Sequence, residues 1–267
     1  MAQTAKPTVL VTGASSGIGA TYADHFARRG HDLVLVARDQ VKLDALAKKL
    51  HAETGVAVDV LRADLTDSAD LARVERRLRD DERIGVLINN AGAAAPGSFA
   101  DTDGDTLSQL ISLNVTAVTR LAGAVVPRFL KQGEGAIVNI GSVLGVAPEI
   151  SFGVYGATKA YVQMLSQSLQ VELGGQGVYV QAVLPAATRT DIWSKSGRDP
   201  NAIEGMMDVN EMVDAALVGF DRREAITIPS LPDAAQWEQF NAARQAMLPN
   251  FRNEHAAARY HKVASAA

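Results

Sequence analysis

Thr12-Gly13-Ala14-Ser15-Ser16-Gly17-Ile18-Gly19 is the stretch of this 267-residue chain that decides its fold. It joins an apolar run, predicted to be a strand, to a predicted helix over Ala20–Arg29. Gly13 permits a tight turn, Gly17 lets backbone approach a pyrophosphate, and Gly19 lets the helix lie against the strand. Amide N–H groups and the positive dipole end at the start of the helix favour phosphate there. The stretch therefore predicts a dinucleotide site, although three residues separate its first two glycines instead of the usual one.

Short apolar runs rich in Val, Ile and Leu recur along the chain and are predicted to be strands. Most are apolar on both faces, which is typical of strands covered by helices on both sides. Segments with apolar residues at helical spacing, such as 43–50 and 71–78, separate them. This alternation predicts one α/β domain over residues 1–267, built on a doubly wound, seven-stranded parallel sheet. The predicted strands are Thr8–Gly13, Asp32–Arg38, Val56–Asp64, Gly85–Asn90, Ala136–Gly141, Val178–Pro185 and Ala225–Pro229.

Two segments interrupt this alternation. Residues 190–210 turn to small, polar and Met-rich sequence, and we expect a mobile substrate loop near the carboxyl edge of the sheet. Residues 230–267 carry Pro, Trp and Phe on an Ala- and Arg-rich, helix-like stretch. Neither segment is long enough to be an independent domain. The second is therefore predicted to be a C-terminal tail that docks, either over the substrate pocket or on a neighbouring subunit.

The composition excludes several kinds of site. The chain has no cysteine, which excludes disulfides, thiolate nucleophiles, iron–sulfur clusters and cysteine zinc sites. Its five histidines show no paired ligand spacing, and we expect no metal site. A net charge of −4 argues against nucleic acid as a partner. Because neither a signal peptide nor about 18 uninterrupted apolar residues occur, we expect a soluble, cytoplasmic protein with no membrane partner.

Ala37 and Arg38 stand where the second predicted strand ends, about twenty residues beyond the glycine loop. An acidic residue there would bind the ribose 2′-hydroxyl and repel a 2′-phosphate. A guanidinium can instead pair with a phosphate through two hydrogen bonds and stack on adenine. Arg38 therefore favours NADP(H), with Ser15 as a second candidate in the phosphate shell and with NAD(H) left open. The alternative is that Arg38 is a solvated loop residue paired with Asp39 or Asp44.

Tyr155 and Lys159 lie four residues apart at the start of a predicted helix, so their side chains share a face. A free phenol has a pKa of about 10 and is a poor base at neutral pH. An ammonium beside it favours the phenolate and brings the group toward the working pH. Ser142, at the carboxyl end of a predicted strand, can hydrogen-bond a substrate carbonyl where negative charge develops. Asn114, in a separate helix, can hold a water that links Lys159 to solvent.

Taken in order, these residues resemble the classical short-chain dehydrogenase/reductase family over roughly residues 8–230. The shared motifs are the Gly-x3-Gly-x-Gly loop, an Asn-Asn-Ala-Gly turn at 89–92, and the set of Asn114, Ser142, Tyr155 and Lys159. The resemblance implies a Rossmann-type fold, a nicotinamide cofactor and interconversion of a carbonyl and an alcohol. It implies that Tyr155 is the acid/base and that Ser142 polarises the carbonyl. It also implies that Lys159 tunes Tyr155 and anchors the ribose, while Asn114 supports the proton relay.

The resemblance further implies cofactor contacts at the ends of the predicted strands. Asp64 and Leu65 are expected at the adenine, Asn90 beside the ribose, and Thr190 at the nicotinamide carboxamide. Ala186 stands where the family usually has glycine, so the chain departs from the family pattern beside the expected nicotinamide contacts. The full set of predicted cofactor residues is Gly13, Ser15, Ser16, Gly17, Ile18, Gly19, Arg38, Asp64, Leu65, Asn90, Ala91, Gly92, Tyr155, Lys159, Pro185, Thr188 and Thr190.

The identity of the substrate depends on segments beyond these motifs. The candidate pocket residues are mostly apolar, and no Arg or Lys cluster among them demands a carboxylate or phosphate on the substrate. We therefore expect a hydrophobic ketone, bulky ones included, or its secondary alcohol, whereas Arg189 and Arg198 keep acidic substrates open. The candidate residues are Ala94, Val143, Leu144, Glu149, Phe152, Ala187, Trp193, Met206 and Met207.

Two other functions compete with this prediction. A 3-oxoacyl thioester reductase of lipid synthesis would need a surface for the phosphopantetheine carrier, and the sequence has no clear basic patch for one. A non-catalytic NADP(H)-sensing protein on the same fold would have no need of a complete proton relay. The intact set of Asn114, Ser142, Tyr155 and Lys159 therefore favours an enzyme.

Two predicted helices, 107–130 and 154–173, carry apolar residues around more of their circumference than one core face needs. Examples are Ala117, Leu121, Val125, Val162 and Leu165. Such a helix must be covered by something. The family resemblance favours self-association through these helices, as a homodimer or homotetramer. Packing under neighbouring loops of the same chain is the alternative.

Overall fold

The computed structural model describes residues 6–94, 99–150, 153–195, 199 and 203–261. Phe152 and Arg198, both named above for the substrate, lie outside these residues. The described part contains one sheet of seven parallel strands in the order β3-β2-β1-β4-β5-β6-β7. The strands are β1 (Thr8–Thr12), β2 (Leu33–Ala37), β3 (Val58–Arg62), β4 (Ile84–Asn89), β5 (Gly135–Ile140), β6 (Val178–Val183) and β7 (Ile226–Thr227). The predicted sheet is confirmed, and no strand end differs from its predicted position by more than two residues.

Helices cover both faces of the sheet. They are α1 (Gly17–Arg28), α2 (Gln40–Thr54), α3 (Ser68–Asp80), α4 (Gly104–Ile111), α5 (Val118–Gln132), α6 (Gly153–Leu173), α7 (Ile192–Lys195), α8 (Val209–Asp221) and α9 (Ala234–Gln245). Because successive strand residues alternate between faces, Val9 and Val11 join one buried apolar cluster and Leu10 joins another. Side chains of α1, α2 and α8 complete the first cluster, and those of α3 and α5 complete the second. Burial on both faces explains why most of the strand sequences are apolar throughout, whereas the edge strand β3 is only partly buried and carries Asp59 and Arg62.

Five helices, namely α2, α3, α4, α8 and α9, begin at an aspartate that accepts hydrogen bonds from backbone N–H groups of the first turn. Such a cap satisfies amide groups that have no partner within the helix. The capping residues are Asp39, Asp67, Asp103, Asp208 and Asp233. Helix α1 differs, because its N-cap residue Ser16 makes no side-chain capping hydrogen bond.

Helix α4, a π-helical turn over Ser112–Ala117 and helix α5 form one continuous helix, Gly104–Gln132. By length and composition this helix could cross a membrane, and it is the one helix among the described residues that meets both conditions. Leu121, Val125 and Phe129 on it are buried in the second apolar cluster. Packing against the sheet thus accounts for part of its apolar character, with 44% of its most apolar window buried.

The apolar residues that suggested self-association are largely core residues. Ala117, Leu121, Val125 and Val162 are each at most 1% exposed within a single chain. Packing inside the chain therefore explains these four residues, although Ala117, Leu121 and Val125 pack in the second apolar cluster and not under loops. Other large apolar side chains on α6 are exposed, among them Met164 at 53%. Formation of a homodimer or homotetramer stays a prediction.

The chain forms two compact units, Met1–Ser230 and Leu231–Ala267. The second unit begins where the tail was predicted to begin, and it contains α9 and two 3₁₀ turns, Leu248–Arg252 and Ala258–Tyr260. Within it, the rings of Trp237 and Phe240 lie 5.3 Å apart. The inclusion of this tail in one domain with the sheet, and its docking, stay predictions.

Candidate active site

In the loop between β1 and α1, neighbouring atoms leave no room for a side chain at Gly13 and Gly19. Gly13 and Gly17 have φ values of +66° and +54°, in the left-handed region that favours glycine. A Cβ added to Gly13 would lie 2.7 Å from Nδ2 of Asn90. One added to Gly19 would lie 2.5 Å from the carbonyl oxygen of Gly13. The loop therefore leaves its backbone open to close approach, as a pyrophosphate requires.

Asn90 holds the glycine loop to the turn after β4. Its Nδ2 donates to the carbonyl oxygen of Thr12 at 2.9 Å. In return, the hydroxyl of Thr12 accepts the backbone N–H groups of Asn90 and Ala91, both at 3.0 Å. Asn90, which was predicted to lie beside the ribose, thus hydrogen-bonds within the protein and positions the glycine loop.

The start of α1 fits the phosphate groups of a dinucleotide. Ser16 is extended, with φ −166° and ψ 170°, and the first turn holds no acidic residue. A capping carboxylate, as on five other helices, would occupy these amide groups and repel a phosphate. Helix α1 instead presents amide groups and a positive dipole end to an anion. Ser15, Ser16, Gly17, Ile18 and Gly19 would hold the pyrophosphate there.

Arg38 faces Asp64 across the ends of β2 and β3, with Nη1 3.8 Å from Oδ2 and its side chain 75% exposed. Asp39 caps α2, and Asp44 accepts a hydrogen bond from another side chain. Arg38 is thus solvated, as the alternative stated, but it pairs with Asp64 instead of Asp39 or Asp44. Burial pushes the pKa of Asp64 up, but hydrogen bonds from Thr66 and the charge of Arg38 lower it below its usual range overall. Arg38 and Asp64, both predicted to contact the adenosine part of the cofactor, thus lie next to each other.

The predicted acid/base and its neighbours meet where β5 ends and α6 begins. Nζ of Lys159 donates a 2.8 Å hydrogen bond to the carbonyl oxygen of Ile140 and lies 5.6 Å from the ring centre of Tyr155. The side chains of Ser142 and Tyr155 are hydrogen-bonded to each other. Oγ of Ser142 also accepts the backbone N–H of Leu144 at 3.2 Å. We call Ser142, Tyr155 and Lys159 the buried centre; Ser142 and Lys159 are buried, and Tyr155 is half-buried.

Burial governs the pKa values of the buried centre. It raises the pKa of Tyr155 to about 12, against the lowering effect of the hydrogen bond with Ser142. It lowers the pKa of Lys159 to about 8. In this structure burial outweighs the hydrogen bond with Ser142, so the pKa of Tyr155 lies above its ordinary value. The expected tuning of Tyr155 by Lys159 stays a prediction. At neutral pH, Tyr155 is a protonated hydroxyl and Lys159 is mainly an ammonium.

Asn114 lies in the π-helical turn between α4 and α5, and its side chain is fully buried in contacts with the protein. Both amide hydrogens are used, one on the carbonyl oxygen of Ala93 at 2.9 Å and one on the hydroxyl of Thr158 at 3.1 Å. Its Oδ1 accepts the backbone N–H of Ala93 at 3.0 Å. Since Thr158 in turn donates to the carbonyl oxygen of Tyr155, Asn114 ties the β4 turn to α6. Its water-holding role stays a prediction.

A buried polar chain behind the centre was missed by the sequence analysis. Nδ2 of Asn89 donates to Oδ1 of Asn139, and Nδ2 of Asn139 donates to Oγ of Ser166, each at 2.9 Å. Ser166 lies on α6, seven residues after Lys159, and Asn139 precedes the carbonyl group that holds Lys159. This chain fixes α6 against β4 and β5. The helical spacing of Lys159 and Ser166 was visible in the sequence, but the partner on β5 was not.

The segment after β6 brings the predicted nicotinamide contacts to the glycine loop. A Cβ on Gly17 would lie 3.1 Å from Cγ2 of Thr190. Thr188 is buried and donates to the carbonyl oxygen of Ala186 at 3.0 Å. Pro185 is buried, and its carbonyl oxygen accepts the backbone N–H of Val143 at 3.0 Å. The segment is therefore firmly held despite the alanine at 186.

The predicted pocket residues lie in three segments. Val143 and Leu144 form a 3₁₀ turn directly after Ser142. Trp193 donates its indole N–H to the carbonyl oxygen of Thr188 at 2.7 Å, and Met207 forms a β-bridge with Thr188. Met207 is partly buried and packs on the first apolar cluster, and its place in a substrate pocket stays a prediction. Glu149 is exposed, whereas Ala94, Ala187 and Met206 are partly buried.

Several known proteins are similar to this chain in sequence and in fold. A short-chain dehydrogenase from Sphingobium yanoikuyae in complex with NADPH is 62% identical and has a TM-score of 0.94, with 96% of this chain and 100% of that chain covered. A bulky-bulky ketone specific alcohol dehydrogenase from Comamonas testosteroni is 56% identical and has a TM-score of 0.91, with 97% and 100% covered. A very-long-chain 3-oxoacyl-CoA reductase from Anas platyrhynchos is 35% identical over 71% of this chain and 63% of its own length. This chain thus spans about three fifths of that relative.

The family assignment is independent of any one relative. A model of the short chain dehydrogenase family matches residues 7–201, which is more than half of the chain. This agrees with the resemblance seen in the glycine loop, the Asn-Asn-Ala-Gly turn and the set of four polar residues, and it confirms that prediction. The chain belongs to the short-chain dehydrogenase family.

Proposed function

We propose that this protein is an oxidoreductase that interconverts a ketone and a secondary alcohol, with NADP(H) as cofactor and Tyr155 as the acid/base. The observation that carries the proposal is the buried centre and its place beside the glycine loop. A Cβ on Gly92 would lie 3.5 Å from Nζ of Lys159, and Asn90 in the same turn is tied to Thr12. A proton donor and a dinucleotide cradle therefore share one end of the sheet.

The side chains of the centre can bind and protonate a carbonyl oxygen. The hydroxyls of Ser142 and Tyr155 would both donate hydrogen bonds to that oxygen as negative charge develops on it. With a pKa raised to about 12, Tyr155 keeps its proton at neutral pH and has it to give. The ammonium of Lys159 stabilises the phenolate that remains. In the oxidative direction the same groups act in reverse, with Tyr155 receiving the proton of the alcohol.

The cofactor we propose is NADP(H), with NAD(H) as a weaker alternative. The nicotinamide supplies the hydride when it is bound. The start of α1 would hold the pyrophosphate, and Arg38 would pair with the 2′-phosphate. Asp64 and Leu65 would lie at the adenine, and Thr188 and Thr190 at the nicotinamide end. The Sphingobium relative, which was solved with NADPH, supports this preference at 62% identity.

The substrate we propose is a hydrophobic ketone with bulky groups on the carbonyl, or the matching secondary alcohol. The side chains near Ser142 are mostly apolar, with Val143 and Leu144 following it directly in the chain. The Comamonas relative, described as specific for bulky-bulky ketones, supports this class at 56% identity.

Reduction of a 3-oxoacyl thioester is the second candidate. Its support is the relative from Anas platyrhynchos, a very-long-chain 3-oxoacyl-CoA reductase that is 35% identical to this chain. The reaction class is the same, and the two candidates differ in what the pocket must accept beside the carbonyl.

A substrate panel tests the proposal. The purified protein would be assayed with diaryl ketones, small ketones and 3-oxoacyl-CoA thioesters, each with NADPH and with NADH. We expect the highest kcat/KM with a bulky ketone and NADPH. A higher value with the thioesters would favour the second candidate. No turnover of any member, despite measurable NADPH binding, would contradict enzymatic reduction and favour an NADP(H)-sensing protein.

A further inference from the structure

The charge around Arg38 is balanced before any phosphate binds. Arg38 lies 3.8 Å from Asp64, so this pair has no net charge. Two further carboxylates nearby have cations of their own: Asp39 lies 4.0 Å from Lys42, and Asp70 lies 3.0 Å from Arg73. A phosphate monoester carries between one and two negative charges at neutral pH. Arg38 would therefore have to form an ion pair with the phosphate while it is still paired with Asp64.

Arg62 is the neighbouring positive charge without such a partner. It ends β3, and its Cα is paired in the parallel ladder with that of Ala37, the residue before Arg38. Its Nε donates to the carbonyl oxygen of Arg38 at 3.2 Å, which holds the guanidinium at the end of β2. Among the residues that the structure describes, no carboxylate lies within the 4.0 Å of an ion pair with Arg62. Its charge nevertheless reaches Asp64, whose pKa it helps to lower.

We propose that Arg62 is a second 2′-phosphate contact of the cofactor site and supplies the positive charge that Arg38 shares with Asp64. This inference rests on the proposed use of NADP(H). The Nε hydrogen of Arg62 is engaged by the carbonyl oxygen of Arg38, and its two terminal NH₂ groups would donate to the anion. Charge-assisted hydrogen bonds of this kind are about twice as strong as neutral ones. We call Arg38, Arg62 and Asp64 the charged rim.

The expected signature is a loss confined to the phosphorylated cofactor. Arg62→Gln keeps a polar side chain, although a shorter one, and removes the charge. We expect it to weaken NADPH binding about tenfold, as loss of one hydrogen bond to a charged group predicts. Binding of NADH should be unchanged, because NADH has a hydroxyl where the phosphate stands. Arg62→Lys keeps the charge and should recover part of the loss.

The experiment measures dissociation constants by calorimetry for NADPH, NADH, 2′,5′-ADP and 5′-AMP, without any turnover. Arg76→Gln, which removes the same charge from an exposed position on α3, is the matched control and should leave all four constants unchanged. Arg38→Gln is measured in parallel. A loss with Arg62→Gln for NADPH and 2′,5′-ADP alone supports the proposal.

Two outcomes would overturn it. If Arg38→Gln weakens only the 2′-phosphorylated ligands and Arg62→Gln changes nothing, the inference about Arg62 fails and the proposed cofactor stands. If neither variant distinguishes NADPH from NADH, both the inference and the proposed NADP(H) preference fail. An equal loss for all four ligands with Arg62→Gln would also contradict a phosphate contact, since it would mean a general disturbance of the adenosine site.

Discussion

The buried centre lies at the carboxyl end of β5 and the charged rim at the carboxyl ends of β2 and β3, in the same sheet, and yet the two follow different electrostatic rules. At the buried centre, Lys159 is 6% exposed and removal from water shifts the pKa values of Tyr155 and Lys159 in opposite directions. At the charged rim, Arg38 is 75% exposed and meets Asp64 in solvent, where salt screens the attraction. Substitutions at the centre should therefore change rate and pH dependence, whereas those at the rim should change the choice and affinity of the cofactor.

The largest effect is expected at the centre, from Tyr155→Phe. The change removes the proton donor and leaves the ring in place. We expect kcat to fall by roughly 10²–10⁴, the range of general acid catalysis, with little change in the dissociation constant for NADPH. Stopped-flow rates and cofactor titration measure the two quantities. Near-normal turnover would show that another group delivers the proton and would remove the distinction between centre and rim.

At the rim, Arg38→Asp should produce the next largest effect. The new carboxylate faces Asp64 and repels a 2′-phosphate, so the KM for NADPH should rise about ten- to a hundredfold while that for NADH changes little. Steady-state kinetics with both cofactors measure the ratio. Equal changes in the two KM values would reject a phosphate role for Arg38.

The pH dependence of reduction tests the centre without any substitution. Lys159, with its pKa lowered to about 8, loses its proton as the pH rises through that value. Tyr155 keeps its proton over the same range. We expect kcat/KM for ketone reduction to be level below pH 8 and then to fall about tenfold per pH unit. A profile that stays level to pH 10 would show that the ammonium is not needed.

The same pKa shift predicts a change in stability. Because Lys159 titrates at about 8 in the folded protein and at 10.5 ordinarily, the unfolded state binds more protons between these values. The free energy of unfolding should therefore rise across this window relative to that of Lys159→Met. Denaturant titrations of both proteins at pH 7.5 and 10 would measure it, and parallel trends would contradict the assigned shift.

The smallest effect is expected from ionic strength, which should change cofactor affinity at the charged rim and leave the rate set by the buried centre almost unchanged. Raising the ionic strength from 0.05 to 0.5 M shortens the Debye length from roughly 14 Å to about 4 Å. NADPH affinity should fall severalfold, NADH affinity should fall less, and the maximal rate should hardly change. A salt effect on the rate equal to that on NADPH binding would mean that centre and rim are not electrically distinct.

The sequence predicted those features that depend on local pattern. Largely apolar runs located all seven strands, because burial on both faces leaves few polar positions in most of them. The edge strand β3, with Asp59 and Arg62, is the exception. The glycine loop was recognised from the spacing of Gly13, Gly17 and Gly19, since close backbone approach demands those residues. The Tyr155–Lys159 pair was found from the helical repeat.

What the sequence could not predict depends on pairing between strands and on burial. Arg38 meets Asp64 rather than its neighbours in sequence because β2 and β3 lie side by side. Arg62 reaches the same place through the same register. The raised pKa of Tyr155 depends on burial, which the four-residue spacing from Lys159 does not reveal. Asn139 and Ser166 likewise meet only after α6 folds onto β5.

Hydride transfer with deuterated cofactor tests the central claim most directly. The wild-type protein would reduce a bulky ketone with NADPH carrying deuterium at the transferable C4 position, and the alcohol would be analysed by mass spectrometry. We predict one deuterium on the carbinol carbon and a slower rate than with unlabelled NADPH. An alcohol product without that deuterium, or no alcohol at all across the ketone panel, would contradict the proposal that this protein is a ketone reductase.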